Sequence, residues 1–448
     1  MAKPWNAKRV FVFVFKEMVR LQKEVNSGQY REWSARDALS VLTDPRGGIR
    51  HIGIDAETRL YELAERTIGS TSDLVGRIKP NDIVQLFKRE LGKAIYDDSP
   101  KEAHQIVEEC LEEARNTILT DCVFFIPCLL PEHSLVQRFA IGPISFHKKE
   151  KFLSSNFSFH GRDAEHFEQL KTQKKVFNWV AEVKISRFSA SLSEDRAYLF
   201  ARLAIAGLKM AFDDRSAKWL GTDQQLLPSH SDFRLSQLKD RKPRIGRRRK
   251  FFINGSDEQV AHLFATSSVN WMFALGSFIN HYITVGDFGF LGNRIITALT
   301  WFDTGCSPIS DAEKVIAYTN CMKALFVTED QGQKEQLRRR ATPFLETIDP
   351  EIDWADQIST FYRIRSELVH GIISPLSPKV RIQVEFGFKV SASSIQAVLY
   401  FCIWLLSRYP VDTTPSHLSP FNGRGSFSKA FLSHMAEFIR EVSSANET

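Results

Sequence analysis

Two residues near the end of one amphipathic segment have side chains that could carry out acid–base chemistry. In residues 361–371, FYRIRSELVHG, Arg365 and His370 have the spacing R-x4-H. A histidine titrates near neutral pH and can transfer a proton, and an arginine carries a permanent charge on a planar group. This pair could therefore combine general acid–base catalysis with stabilisation of a negatively charged transition state.

The R-x4-H spacing is weak evidence by itself, because it also occurs at Arg46 and His51 in a Pro-Gly-Gly segment that predicts a loop. On an ideal helix, residues five positions apart are separated by about 140°, so Arg365 and His370 do not share one face. Arg363 lies nearly on the face of His370 and is a rival or accessory cation. Convergence of Arg365 and His370 requires the arginine to sweep round, the helix end to loosen, or a second subunit to contribute.

A purely structural role would also explain both residues. An exposed arginine is common on a bundle helix, and the helix macrodipole favours a histidine near a helix C-terminus.

The C-terminal part of the chain predicts an up-and-down bundle in which the R-x4-H segment is the fourth helix. The first helix covers residues 294–302 and ends near Gly305, and Ser310 with Glu313 has the spacing of a capping box that opens the second. The third covers residues 331–346. The fourth begins around Trp354 and ends at Gly371, a suitable left-handed cap. A β-like turn over residues 380–390 and helices over 394–407 and 428–443 complete the prediction.

The preceding chain predicts two further regions. Residues 8–119 are mostly helical by periodicity, with segments at 56–67, 81–95 and 100–117, the last opened by Ser99 and Pro100. Short strands rich in Val, Ile and Phe begin near Asp121, and a helix over 193–212 carries Glu194 and Asp195 in its first turn. We therefore predict an α+β, predominantly α, multidomain chain: a helical N-terminal region at 1–119, a mixed α/β module at 120–285 and a helical bundle at 286–448.

A strongly basic run, RKPRIGRRRK, occupies residues 241–250 of the middle module. Its Arg247, Arg248 and Arg249 could grip the phosphates of a nucleic acid, in a loop or hairpin edge that enters a strand at FFING. The run supports nucleic acid binding only weakly, because no aromatic residue is interleaved with the charges, and a solvated surface loop is the favoured interpretation.

Composition places the 448-residue chain among globular proteins, with 43% hydrophobic and 25% charged residues, and the net charge of +6 permits a polyanionic partner without requiring one. The six cysteines lack zinc or C-x-x-C spacing, and we predict buried thiols in a reducing cytoplasm: Cys110, Cys122, Cys128, Cys306, Cys321 and Cys402. Apolar runs at 10–15 and 397–406 are too short to cross a bilayer. The first of these superficially suggests a signal peptide, but Lys16 and Glu17 follow it at once, so no membrane association is expected.

The run from 294 to 371, with ALTWFD, AYTNCMKALF, LRRRATPFL and FYRIRSELVHG, resembles the ApeA-like branch of the HEPN superfamily (higher eukaryotes and prokaryotes nucleotide-binding). Members typically carry an aromatic residue before an Arg-Ser pair and end the motif in Val-His-Gly. The chain matches at Tyr362, Arg365, Ser366, Val369, His370 and Gly371. The middle region loosely resembles the segment that precedes this domain in such proteins.

The resemblance implies a metal-independent endoribonuclease without a cofactor, of an antiviral-defence or toxin type, with RNA such as tRNA as substrate. Arg365 and His370 would be catalytic at a composite site in a homodimer, supported by Tyr362, Arg363 and Ser366. The N-terminal and middle regions would sense a protein or phage-derived trigger or bind substrate.

One position departs from the family pattern. Where the second helix usually has a glutamate before a small-Leu-Phe triplet, this chain has Lys323 before Ala324. Two alternatives therefore stay open: a non-catalytic HEPN-like module that binds RNA, a nucleotide or a protein, and a structural interaction protein in which His370 only caps a helix.

Overall fold

The structure is a computed structural model. It describes residues 7–28, 40–43, 49–97, 102–131, 136–154, 177–222, 233–237, 243–247, 271–285, 289–307, 309–328, 331–346, 349–408, 434 and 437–441. These residues are predominantly helical with a small antiparallel sheet, which confirms the predicted α+β, mostly α class.

The chain divides into two compact units, and the first contains the described residues within 1–122 and 185–196. Its helices have apolar residues at three- and four-residue spacings, and those residues form its core. Its elements are α1 (Ala7–Asn26), the hairpin β1 (Ser40–Thr43) and β2 (Ile49–Ile52), α2 (Ile54–Gly69), α3 (Pro80–Asp97), α4 (Ala103–Glu113) and a π-helical turn (Ala114–Ile118). The three predicted helices are confirmed.

A five-stranded sheet, mostly in the second unit, has the strand order β4-β5-β6-β3-β7. The strands of this sheet pair in antiparallel register; for example, Ser145 lies opposite Glu182. The strands are β3 (Thr120–Leu129), β4 (Arg138–Ile141), β5 (Ile144–Lys148), β6 (Trp179–Phe188) and β7 (Gly221–Thr222), with a short helix α5 (Lys149–Leu153) after β5. The predicted change to short strands near residue 121 is confirmed.

The remaining helices of the second unit follow the sheet. They are α6 (Ala190–Lys209, whose first residues belong to the first unit), α7 (Asp214–Ala217), α8 (Trp271–Val285), α9 (Gly289–Gly305), α10 (Asp311–Phe326), α11 (Gln333–Glu346), α12 (Trp354–Val369) and α13 (Pro378–Arg408). A separate hairpin, β8 (Phe233–Gln237) with β9 (Pro243–Arg247), lies between α7 and α8 in sequence. The long α13 contacts each of α8 to α12.

Aromatic rings form the centre of these C-terminal helices. Phe388 of α13 lies 5.3 Å from Phe302 of α9 and 6.1 Å from Tyr318 of α10, measured between ring centroids. Phe361 of α12 lies 5.6 Å from Phe386. Gly387 allows this approach, because a Cβ at that position would lie 2.8 Å from the Phe361 ring.

Two details of the sequence-based prediction are wrong. The β-like turn over 380–390 does not exist, because Pro378–Arg408 is one continuous helix. The alternation of apolar residues there coexists with a helical spacing, Val380, Val384 and Phe388, and packing against α9 and α10 selects the helix. In addition, α6 begins at Ala190, so Glu194 and Asp195 do not lie in its first turn.

Several predicted features lie partly or wholly outside the described residues. They are the loop at 44–48, Ser99 and Pro100, Arg248 and Arg249, FFING, and most of the helix at 428–443, of which 434 and 437–441 are helical. The described start of α4 uses Glu102 as the N-cap, in a capping box with Gln105.

The cysteines are free thiols; Cys110, Cys128, Cys306 and Cys321 are buried, as predicted, while Cys122 and Cys402 are half-buried. None of the helices in the described part of the chain combines the length and apolar character required to cross a membrane. The division into three domains at 119 and 285 stays a prediction.

Candidate functional site

Helix α12 is held in place by four buried side chains at helical spacing, Trp354, Ile358, Phe361 and Ile364. Asp353 caps its start by accepting a hydrogen bond from the Asp356 amide at 3.0 Å. These contacts turn one face of α12 into the core. Of the two R-x4-H residues, Arg365 is half-buried and His370 is exposed.

The end of α12 is fixed by a Schellman motif. The amide of Ile372 donates to the Glu367 carbonyl at 2.8 Å, and the amide of Gly371 donates to the Leu368 carbonyl at 3.1 Å. Gly371 has φ +70°, the left-handed conformation that the sequence predicted for this glycine. The backbone of His370 is therefore held at the C-cap position, while its side chain is exposed.

Arg365 is half-buried, and its Nε is buried without a hydrogen-bond partner. In the described part of the chain, no carboxylate pairs with its guanidinium, and the imidazole of His370 likewise has no hydrogen-bond partner. The structure thus places both predicted catalytic residues within the last two turns at the end of α12, but it does not join them by a hydrogen bond.

The three predicted supporting residues have different surroundings. Arg363 forms an ion pair with Glu367 at 2.7 Å on the exposed surface of α12, so its charge is engaged there. The hydroxyl of Tyr362 lies 3.3 Å from the Gln333 side chain and connects α12 to α11. Ser366 accepts the amide hydrogen of His370 through its carbonyl at 3.0 Å. Arg363 is therefore not paired with His370.

Of the three predicted RNA-binding arginines, only Arg247 lies among the described residues. Arg247 is the last residue of β9, and its backbone lies opposite Phe233 of β8 in the antiparallel hairpin. Arg248 and Arg249 lie outside the described residues. The basic run thus includes a hairpin strand, and its phosphate-binding role stays a prediction.

Sequence reasoning missed two cations near the motif, because it placed a β-like turn after residue 380. Lys379 and Arg381 are exposed in the first turns of α13, and neither has a carboxylate partner among the described residues. Cations are unfavourable at a helix N-terminus, where the macrodipole is positive. Both cations follow the motif in the chain and add positive charge to the start of α13.

Exposed apolar side chains also accompany the motif. Val369 is 49% exposed, Ile372 71%, Leu376 93% and Ile382 68%. We call these four residues the 369–382 patch. Because such a concentration of exposed apolar residues commonly marks an interaction surface, the patch identifies this end of α12 and α13 as a candidate interface.

Two arginines from neighbouring helices bind the C-terminus of α10, the helix end that carries Lys323. The buried Arg340 donates to the Phe326 carbonyl and to Thr328, at 2.8 and 2.9 Å, and Arg294 donates to the Val327 carbonyl at 2.6 Å. Both satisfy carbonyls that α10 leaves open at its end. Their roles are structural.

A buried ionic cluster joins α6 to α9 in the second unit. Asp303 is 1% exposed and accepts hydrogen bonds from Lys209 at 2.6 Å and from Arg202 at 3.0 Å. Nearby, Asp214 accepts from Lys314 at 2.9 Å and from the hydroxyl of Tyr318 at 2.8 Å. No local sequence pattern indicates these pairs, because the partners are about a hundred residues apart.

Within this cluster, burial is the main reason that the pKa of the Cys306 thiol is raised to about 12. Burial likewise raises the pKa of Tyr318, with the negative charge of Asp214 adding to the effect. Cys306 is therefore a neutral thiol at physiological pH and no nucleophile. The described residues contain no group of three His, Cys, Asp or Glu side chains arranged to hold a metal ion.

Comparison of the chain with protein-family models, with curated proteins and with solved structures gives no match.

Proposed function

We propose that this chain is a metal-independent endoribonuclease of an antiviral-defence or toxin type, with Arg365 and His370 at a composite site in a homodimer. The observation that carries the proposal is the end of α12, which has the motif of the ApeA-like HEPN proteins and where neither Arg365 nor His370 has a side-chain partner among the described residues. The finer architecture, an HEPN-like bundle formed by the C-terminal helices, is part of the same proposal.

The proposed reaction is an internal transesterification of RNA. The ribose 2′-oxygen attacks the adjacent phosphorus, the P–O5′ bond breaks, and the products are a 2′,3′-cyclic phosphate and a 5′-hydroxyl. His370 accepts the proton of the 2′-hydroxyl, and the imidazolium of His370 in the other copy protonates the leaving 5′-oxygen. Arg365 stabilises the additional negative charge on the phosphorane-like transition state.

The 369–382 patch supports the dimer. Val369 is part of the motif and the other three apolar residues follow it in the chain, so we expect a second copy that covers them to bring two motifs together. A dimer also accounts for the separation of about 140° between Arg365 and His370 on one helix, because Arg365 of one copy could face His370 of the other.

The first test is cleavage of tRNA and of total RNA in the presence of EDTA. Arg365→Ala and His370→Ala should each lower the rate by about 100-fold or more, the range for an electrostatic stabiliser or a general acid–base group. Arg339→Ala is the matched control, because Arg339 is an exposed arginine on α11. Unchanged cleavage by both site variants, or no cleavage by the wild type with any trigger, would refute the proposal.

The second test is the oligomeric state. Leu376→Glu places a charge at the most exposed position of the patch, where it should not disturb folding, and it should convert a sedimenting dimer into a monomer with loss of cleavage. A wild-type protein that sediments as a monomer and still cleaves RNA would contradict the composite site.

One observation favours a second candidate function, a non-catalytic module that binds RNA, a nucleotide or a protein. Lys323 occupies the position where the family usually has a glutamate, and Arg365 has no carboxylate to orient it in the described part of the chain. RNA binding that survives both Arg365→Ala and His370→Ala, without a cyclic phosphate product, would select this alternative.

A further inference from the structure

Helix α1 exposes apolar side chains on the face turned away from its own core. Val12 is 44% exposed, Phe15 42% and Val19 39%, whereas Val14 and Leu21 on the opposite face are fully buried. The three exposed residues have the spacing i, i+3, i+7, so they form a continuous stripe along two turns of the helix.

Lysines occupy the same face. Lys16 and Lys23 lie with the three apolar residues within an arc of about 100° on the helix, and both are exposed. Neither has a carboxylate partner among the described residues. The nearest acidic residues along α1, Glu17 and Glu24, lie outside this arc and are paired with Arg20. We call Val12, Phe15, Lys16, Val19 and Lys23 the α1 stripe.

We propose that the α1 stripe is a docking surface for an acidic amphipathic helix of a partner protein. Apolar residues at i, i+3 and i+7 form a ridge of the kind that packs into the groove of another helix. The free lysines beside this ridge are complementary to glutamate or aspartate residues that flank the apolar face of the partner helix. The proposal is independent of the ribonuclease assignment.

An anionic membrane surface is the less favoured occupant. The larger apolar face of α1 is already buried in the core of the first unit, through Val10, Phe11, Val14, Met18 and Leu21. More than half the surface of each of the three apolar residues of the stripe is also covered. A helix that binds in the membrane interface must instead sink its main apolar face into the lipid. The stripe is shaped to contact another helix rather than to enter a bilayer.

The test uses the full-length protein and a labelled synthetic peptide of 18 residues, with leucines at helical a and d positions and glutamates elsewhere. Fluorescence anisotropy should show saturable binding, weakened at least tenfold by the double substitution Lys16→Glu and Lys23→Glu, and severalfold by Phe15→Ala. Lys334→Glu with Arg339→Glu is the matched control, because it makes the same charge change on exposed positions of α11. It should bind as the wild type does.

Four results would overturn the proposal. They are the absence of saturable binding to the wild type, equal binding of a peptide with lysines in place of the glutamates, and unchanged binding after the double reversal. The fourth is evidence that something else occupies the stripe. This evidence would be stronger binding to vesicles of phosphatidylcholine and phosphatidylglycerol than to the peptide, or self-association of the protein that the same double reversal abolishes. Circular dichroism of each variant establishes that the fold is intact before binding is compared.

Discussion

Replacement of Asp303 by asparagine removes one negative charge from the buried cluster between α6 and α9 while it preserves side-chain volume. Asp303 and Lys209 are each 1% exposed, and their charged atoms are 2.6 Å apart. At that distance, with an effective dielectric constant of about 20, the Coulomb attraction is about 6 kcal/mol. In the wild type this attraction offsets the cost of removing both ions from water.

The Asp303→Asn variant keeps the desolvation cost of Lys209 but loses the attraction. Breaking a buried pair by removing one partner typically lowers the free energy of unfolding by about 3–5 kcal/mol, and we expect a loss in this range. Equilibrium unfolding in urea, followed by tryptophan fluorescence, measures it through the transition midpoint and slope.

Two further variants test whether the loss of stability comes from an unpaired buried lysine. Asp303→Asn combined with Lys209→Met leaves no unpaired lysine, so it should recover most of the lost stability. Glu367→Gln breaks the exposed pair with Arg363 and should cost only about 0.3–0.5 kcal/mol. A loss for Asp303→Asn as small as that of the exposed control, or a double variant no more stable than the single one, would refute the assignment of a buried ion pair.

Three other perturbations have defined outcomes. Gly387→Ala places a Cβ 2.8 Å from the Phe361 ring and should destabilise by about 1–3 kcal/mol in thermal unfolding, whereas Gly69→Ala, which meets nothing within 4 Å, should be neutral or stabilising. Because burial raises the pKa of Cys306 to about 12, its thiol should resist iodoacetamide at pH 8 in the native protein and react after denaturation, as peptide mass spectrometry would report. Burial raises the pKa of Glu182, but hydrogen bonds from His147 and Lys184 outweigh burial and lower the pKa overall. Its contribution to stability is therefore present above about pH 4.5 and lost as the pH falls through the lowered pKa, so Glu182→Gln should reduce the acid sensitivity of unfolding. An identical pH dependence for the variant and the wild type would contradict this assignment.

The sequence by itself determined the ends of those helices that carry capping residues. Ser310 and Glu313 form the predicted capping box at the start of α10, and Gly371 has the predicted left-handed conformation after α12. These signals are readable because a cap involves only residues within one turn of each other. The position of the R-x4-H motif at a helix end followed from the same local rules.

Local rules failed where long-range packing selects the structure. Residues 380–390 alternate in a way that suggests an extended segment, yet Phe388 packs against Phe302 and Tyr318 only if the chain is helical. Intrinsic preference over a few residues is small compared with the burial of aromatic side chains, so the tertiary contacts decide.

The tertiary structure alone decided which charges are free and which are engaged. By sequence, Arg338, Arg339 and Arg340 are equivalent neighbours, but Arg338 pairs with Glu335 at the surface, Arg339 is exposed, and Arg340 is buried against the end of α10. An ion pair or a capped carbonyl depends on partners that folding brings together from distant positions, and no local pattern records them. For the same reason, the sequence could propose Arg365 and His370 as a pair, but only the fold exposed the apolar residues that follow them and left both side chains without partners in the described part of the chain.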